Sequence, residues 1–527
     1  MPHREAHGPS RTRLRTSSDY LCFTSSGTRV SSRTATASGS AVMMPSADST
    51  MRRLRCCTCA SNPSGGVAAA GGMLIAYLVA TLPSLGQSLL ENYAYRQTQT
   101  AYTAVLYAEN GVDLLRPPLP VLGVPGIVPL EFPLFQAIGS VFISAGVPPD
   151  LAVRIVGLSF FLVSAVALFL VTRRVIGQGG ALITLAAFLF NAHALVYGRA
   201  ALIEYLAAAS GLVFAALAIR WLEDARAWSW WLALLVGAIA MVVKITTALI
   251  YLPLVFAWRS SSGKWGFRRR SMWLLLGACF VIGLAWNGYA DTVRLANPGT
   301  EFLAAQNQAE WFFGSVAQRL NPGSWRTPIL VFLSLTGFGV VAWGILAVRF
   351  ARRHAQRAFL LLALAASVLP VLVLFNLYAR HEYYYAAIAP LLALAIGMGA
   401  QEVLRIVRPH LRRDLVVGLA GAWLATLIGL GGSWTVIYGT PREEARILAA
   451  ARFIRDNSTP EDWVVIEGFG WNSTFLYYAR RQGYAVPGSD NLLGPGELDL
   501  ETILADPIYG PFFTCSADGS CQVSATR

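Results

Sequence analysis

Charge is scarce in this chain. Charged residues make up 13% of 527 positions, against 55% hydrophobic, and the mean hydropathy is +0.50. That balance excludes an ordinary soluble globular protein and fits a polytopic helical membrane protein. Acidic residues are scarcer than basic ones, leaving a formal charge of +13. The excess sits in short clusters between apolar spans, as the positive-inside rule requires, and not in a nucleic-acid-binding patch. Cysteines are too few and too scattered for a metal framework. Cys56, Cys57 and Cys59 give one CxxC with no second pair, a weak zinc signal. Cys515 and Cys521, near the end, are placed to form a disulfide if that part of the chain lies outside the cell. No GxGxxG fingerprint follows a strand, and no internal repeat is evident.

Residues 1–65 are rich in Ser, Thr, Arg and Gly. They cannot bury a core and read as disordered, or as an over-long start with Met43, Met44, Met51 and Met73 as later beginnings. Apolar spans follow at 66–86, 151–171, 178–197, 200–219, 228–243, 245–258, 271–289, 327–348, 358–378, 383–400 and 415–437, about eleven in all. Basic clusters at Arg52–Arg55, Arg173–Arg174, Arg220–Arg226, Arg259–Arg270, Arg349–Arg357 and Arg405–Arg413 recur between them. Placing every cluster in the cytoplasm puts the N-terminus inside and the C-terminus outside. Two outer segments result, a first loop over 87–150 and a tail over 438–527. The tail reads as a small α/β unit, with a helix from Arg442 to Arg455, a strand at Trp463–Ile466 and a second helix from Trp471 to Arg480.

The first loop carries the densest polar run, Glu91 to Thr100. It is too polar for hydrocarbon, and it reads as a helix stopped by Asn110-Gly111. Arg96, Gln99, Thr100 and Thr103 share one face, Tyr95, Tyr102 and Leu106 another, so an interfacial amphipathic helix turning its polar face to a site is expected. Glu91, at the start, is either a dipole partner of the helix or a general base. Arg96 either pairs with Glu91 or forks onto a phosphate, with Gln97 beside it. Further on, Pro129 to Gln136 brings a second carboxylate, Glu131. It reads as a base or substrate ligand, or as an ion-pair partner for Arg96 or Arg154. Arg199, Glu204 and Lys244 fall at the outer ends of spans. Ionisable groups at that depth are functional candidates, with snorkelling the plainer reading of Lys244. Arg380, His381, Glu382 and Tyr383, with Tyr384 and Tyr385, offer a cation, an imidazole and phenols to a phosphate and a sugar ring. His381 and Glu382 are adjacent and diverge on a helix, so a metal site is not expected. Trp311-Phe312-Phe313-Gly314 reads as an interface anchor covering the site.

Three segments together resemble a known group: Tyr95-Arg96-Gln97-Thr98-Gln99-Thr100-Ala101, Pro129 to Gln136, and His381-Glu382-Tyr383-Tyr384. The chain resembles, over roughly 66–480, the GT-C glycosyltransferases of the family 39-like group, which includes protein O-mannosyltransferases, aminoarabinose transferases and rhizobial-type lipopolysaccharide sugar transferases. It departs where the wider family often has an Asp-Glu pair, here Glu91-Asn92. The resemblance implies an all-α polytopic GT-C-like membrane protein of about eleven transmembrane helices with a small extracytoplasmic α/β C-terminal domain. It implies an inverting transferase using a polyprenyl-phosphate-linked sugar donor and a lipid, glycan or protein acceptor at the outer face of the membrane, with no nucleotide and no cofactor. Glu91 or Glu131 would be the base. Arg96, Gln97, Gln99, Arg199, Lys244, Arg380, His381, Glu382 and Tyr383 would hold donor phosphate or substrate. A transporter or flippase of lipid-linked sugars shares the spans and the polar outer face, though the long first loop and absent inverted repeat weigh against it. A non-catalytic scaffold presenting the tail is a third reading.

Overall fold

The computed structural model describes residues 63–258, 265–336, 354–407, 444–467, 472–486, 503, 506–515 and 520–524. The expected disordered N-terminal segment, the span at 415–437, much of the span at 327–348 and several basic clusters lie outside these residues.

The described chain is mainly helical. Its helices are α1 Pro63–Thr81, α2 Ala94–Asn110, α3 Leu134–Ser144, α4 Pro149–Leu189, α5 Ala192–Tyr197, α6 Glu204–Asp224, α7 Ala227–Phe256, α8 Arg270–Ala296, α9 Ala309–Phe313, α10 Val316–Leu320, α11 Arg326–Thr336, α12 His354–Val373, α13 Phe375–Arg380, α14 Ala389–Val407, α15 Glu444–Asp456 and α16 Thr474–Ala479. Among the described residues five helical stretches are long and apolar enough to cross a membrane: Gly65–Ser84, Pro149–Leu189, Glu204–Asp224, Ala227–Phe256 and Arg270–Ala296. The protein is a multi-pass membrane protein. Val79, Leu232, Val281 and Leu369 are exposed on the helices, as expected of side chains that face lipid.

Two of these stretches each hold two helices, divided where the sequence places a boundary. In α4 the backbone leaves the helical region at Gly177, whose φ is 82°, between the spans expected at 151–171 and 178–197. In α7 it leaves it at Lys244 (φ −162°, ψ 93°), between the spans expected at 228–243 and 245–258.

The first loop does not lie open. Helix α2 begins after Tyr93, which is left-handed at φ 59°, and closes on Gly111 at φ 90°. Every residue from Gln97 to Val105 is buried, so no face of that stretch is open. The interfacial setting expected for it is therefore replaced by packing against α3, α4 and α16.

The tail supplies that cover. Strands β1 Trp463–Glu467, β2 Gln482–Val486, β3 Tyr509–Cys515 and β4 Cys521–Ser524 form a sheet in the order β2-β1-β3-β4. β1 runs parallel to β2 and β3, and β4 returns antiparallel, with a disulfide joining the paired Cys515 and Cys521. The outer edge of β2 is covered by the first loop. Gly123 N–H donates to the Gly483 carbonyl (3.1 Å), Gly483 N–H to Pro120 (3.0 Å) and Ala485 N–H to Val121 (3.3 Å). Gly123 has φ 80°, and a Cβ there would fall 2.3 Å from the Tyr509 hydroxyl, so no other residue fits this junction. α2 meets the tail directly: Tyr102 donates to the Arg481 carbonyl (2.9 Å) and the Thr98 and Ser473 hydroxyls lie 2.6 Å apart.

Candidate functional site

Glu91 sits in the turn before α2 and is enclosed by two arginines. Arg154 rises from α4 and places Nη1 2.7 Å from Glu91 Oε1. Arg199, from the turn between α5 and α6, donates through Nη2 to Oε2 at 2.7 Å and through Nη1 to Oε1 at 3.1 Å. Both arginine side chains are fully buried, and the carboxylate is 6% exposed. That turn can approach because α4 carries Gly157, where a Cβ would lie 2.3 Å from the Ala200 carbonyl oxygen. Gln97 closes the network: its Nε2 donates to the Asn92 carbonyl (3.0 Å) and its Oε1 accepts from Ala201 N–H (3.0 Å). Burial pushes the Glu91 carboxyl up, but the two guanidiniums outweigh it and hold the group below its ordinary value. Both carboxylate oxygens are committed. This is a buried ion triad that joins the first loop to α4 and to the turn before α6. Of the residues expected at a substrate site, Gln97 and Arg199 belong to it. Arg96, for which Glu91 and Glu131 were both possible partners, does not.

Arg96 pairs instead with Glu131, across the loop. Its other terminal nitrogen donates to Gln99 Oε1 at 2.9 Å. Burial opposes its charge, yet the Glu131 carboxylate more than offsets that and keeps Arg96 firmly protonated. This pair opens onto a cavity between α2, α3 and the proline-rich loop, with Thr100, Thr103 and Gln136 on its polar wall and Pro117, Leu119 and Val128 opposite. The loop is held over it by Arg294 of α8, which donates to the Pro129 and Leu130 carbonyls at 2.8 and 2.6 Å. Thus the four residues Arg96, Gln99, Thr100 and Thr103, one face in sequence, do line one wall.

On the other side of Arg96 lies an aromatic enclosure around His381. The imidazole stacks on Tyr383 (5.4 Å between centroids, 27° between planes). Tyr93 meets it edge-on at 5.5 Å, and Trp311 packs at 5.5 Å. Neither ring nitrogen has a hydrogen-bond partner. Burial, then the charges of Arg96, Arg380 and Lys244, press its pKa down to about 4, so the imidazole is neutral at ordinary pH. Arg380 is steadied by Asn376 Oδ1 (Nε, 2.8 Å). Glu382 turns away from His381. Its carboxylate accepts from the Tyr197 hydroxyl at 3.3 Å, its N–H donates to the Tyr93 hydroxyl at 3.0 Å, and its carbonyl meets His193 Nε2 at 2.9 Å.

Lys244, at the break in α7, places Nζ 2.7 Å from Glu204 Oε1 and 4.2 Å from the centre of the Tyr384 ring. Glu204 is almost fully buried at the first turn of α6, and its second oxygen has no partner. Arg199 and Glu204, neighbours in sequence, therefore serve separate ion pairs. Sequence reasoning missed Arg154 as the partner of Glu91 and gave Gln136 no role. An arginine inside the apolar run 151–171 was itself the available signal. Among the described residues, no group of three His, Cys, Asp or Glu side chains converges as a metal site.

No protein-family model and no curated protein matches the chain. Solved structures do. ArnT from Cupriavidus metallidurans bound to undecaprenyl phosphate aligns with a TM-score of 0.57 at 14% identity, covering 82% of this chain and 87% of that one. The Archaeoglobus fulgidus oligosaccharyltransferase in complex with Zn and sulfate aligns at 0.54 and 13% identity, covering 80% of this chain and 62% of its own. The arabinofuranosyltransferase AftD from Mycobacteria aligns at 0.50 and 14% identity, covering 81% and 32%. These are GT-C fold glycosyltransferases, and this chain shares their fold.

Proposed function

We propose that the protein is an integral membrane glycosyltransferase that moves a sugar from a polyprenyl-phosphate-linked donor to an acceptor at the extracytoplasmic face, with inversion. One observation carries the reading. On a fold shared with GT-C glycosyltransferases, a carboxylate that borders a cavity, Glu131, meets through Arg96 an enclosure of aromatic rings with two further cations, Lys244 and Arg380. That ArnT was solved with undecaprenyl phosphate bound supports the donor class.

The chemistry follows from these positions. The donor phosphate lies toward Arg96, Lys244 and Arg380, and the sugar stacks in the rings around His381. Glu131 takes the proton of the attacking group. The new bond forms at the anomeric carbon from the face opposite the phosphate. The carbon–oxygen bond to the phosphate breaks with its electron pair, and the cations stabilise the polyprenyl phosphate that leaves. Gln99 and Tyr383 orient these groups. Glu91, with Arg154, Arg199 and Gln97, positions α2. Glu382 positions His381 and Tyr93. No step requires a cofactor.

The domain plan completes the reading: a membrane domain over 66–437 of about eleven spans, the first loop 87–150 and the tail 438–527 outside, and the N-terminus in the cytoplasm. The Cys515–Cys521 bridge supports an oxidising location for the tail. The test is release of free polyprenyl phosphate from polyprenyl-phosphate hexoses by the purified protein. Glu131→Gln is expected to cut release at least ~100-fold with the melting temperature held. Release at the wild-type rate by that variant would remove Glu131 as base. Movement of the donor across vesicles without cleavage would replace the transferase reading by a flippase.

A further inference from the structure

The end of α8 far from the candidate site carries three arginines in a row. The helix has 27 residues, about 40 Å at 1.5 Å per residue. Near its last turn Arg294 grips the first loop, and Arg268, Arg269 and Arg270 stand at its start. The two ends therefore lie at opposite surfaces of a hydrocarbon core about 30 Å thick. Among the described residues no carboxylate pairs with any of the three. The acids at the adjoining end of α6 are taken. Asp224 pairs with Arg220 (3.5 Å), and Glu223 accepts the Trp258 indole N–H (2.8 Å). Arg268 has the Phe267 ring at 5.8 Å, which leaves its charge unneutralised.

Charge that only fixes orientation in a membrane can sit anywhere in a connection and in any posture. Here the corner is ordered. Gly266 N–H donates to the Trp258 carbonyl (2.8 Å), and a Cβ on Gly266 would lie 2.2 Å from the Val255 carbonyl oxygen, so the turn Gly266–Arg268 is pressed onto the end of α7. The Trp273 indole N–H donates to the Phe267 carbonyl (2.8 Å), and its ring lies 5.0 Å from that of Phe256. Trp230, from the start of α7, donates to the Ser271 carbonyl (3.3 Å) and packs edge-on against Trp231 (4.8 Å). The three cations are thus held in place between the two ends of α7, beside the exposed side chains of Trp231, Trp273 and Leu274. A site ordered beforehand loses less on binding.

The exposed apolar side chains decide the source of the anion. A free phosphate makes no use of them, whereas acyl chains cover them, and indoles of this kind sit at headgroup level. The arginines decide the headgroup. Their planar forks match phosphate oxygens. A phosphodiester with an uncharged head, such as glycerol, brings them only negative charge. A zwitterionic head also brings an ammonium, which three guanidiniums repel.

We propose that Arg268, Arg269 and Arg270, with Trp231 and Trp273, form a site for an anionic phospholipid at the corner between α7 and α8. The site does not depend on the transferase reading.

The test is native mass spectrometry of the full-length protein in detergent, with phosphatidylglycerol and phosphatidylethanolamine of equal chain length added in equal amounts. The wild type is expected to retain phosphatidylglycerol at least ~5-fold better. Equal retention of the two lipids overturns the proposal. Arg269→Gln combined with Arg270→Gln is expected to weaken phosphatidylglycerol binding about tenfold or more. Arg173→Gln combined with Arg174→Gln removes the same charge from α4 and should weaken it less than about twofold. Equal losses from the two pairs would reduce the effect to net charge and overturn the site. Should the first pair fail to fold, the choice of the wild type between the two lipids decides. Displacement of the lipid by glycerol 3-phosphate at equal concentration would show that the apolar side chains add nothing, and would overturn a lipid as the occupant.

Discussion

Arg154 reaches Glu91 from 63 positions further along the chain and places Nη1 2.7 Å from its carboxylate, while Arg199 closes on the other oxygen. A carboxylate held this way is an anchor for two buried guanidiniums. Replacing it leaves both uncompensated. Glu91→Gln is therefore expected to destabilise the protein by about 3–5 kcal/mol, seen as a large fall in melting temperature in detergent. A variant that melts like the wild type and still loses transfer would return Glu91 to the chemistry.

Lys244 is expected to act on the donor. Its ammonium faces Glu204 and the Tyr384 ring at the break in α7, and it lowers the pKa of His381 through its charge. Lys244→Gln removes that charge from the enclosure. The KM for a polyprenyl-phosphate hexose should rise about tenfold or more, with a smaller change in kcat. Initial rates against donor concentration read this directly, and an unchanged KM would take Lys244 out of phosphate binding.

Acid should loosen the fold. His381 is pressed to about 4 by burial and by its cationic neighbours, against an ordinary 6.5. It is neutral when folded, so between about pH 6.5 and 4 the unfolded chain binds more protons than the native one. Stability must then fall as pH falls through that window. Denaturation midpoints measured from pH 7.5 to 4.5 should decline. His381→Gln should flatten the slope, and a flat wild-type profile would contradict the buried neutral imidazole.

Asp150 ties the tail to the membrane domain. The Tyr477 and Tyr478 hydroxyls of α16 both donate to its carboxylate at the start of α4. Asp150→Ala strands two largely buried phenols and should cost about 1–3 kcal/mol. Limited proteolysis should then cut the tail faster than in the wild type. An unaltered cleavage rate would mean that the other contacts of α2 with the tail hold it alone.

Local patterns were readable in the sequence, and distant partners were not. The helix ending at Gly111, its face of Arg96, Gln99, Thr100 and Thr103, and the tail elements near 444–456, 463–467 and 474–479 follow from periodicity and stop signals, which are properties of neighbouring residues. The pairing of Glu91 with Arg154 and Arg199, and of Arg96 with Glu131, depends on where α4 and the Arg199 turn come to rest. Charge type alone leaves every such match open. The breaks at Gly177 and Lys244 were legible too, because each lies between two apolar spans and the second falls on a charged residue.

The edge of β2 carries a consequence in time. Residues 120–123, which lead into the segment bearing Glu131, are hydrogen-bonded to Gly483 and Ala485. During synthesis the first loop is made early and waits without this partner until the chain has been made as far as β2. The cavity wall cannot close until β2 arrives, and a chain halted before Tyr484 would leave it open.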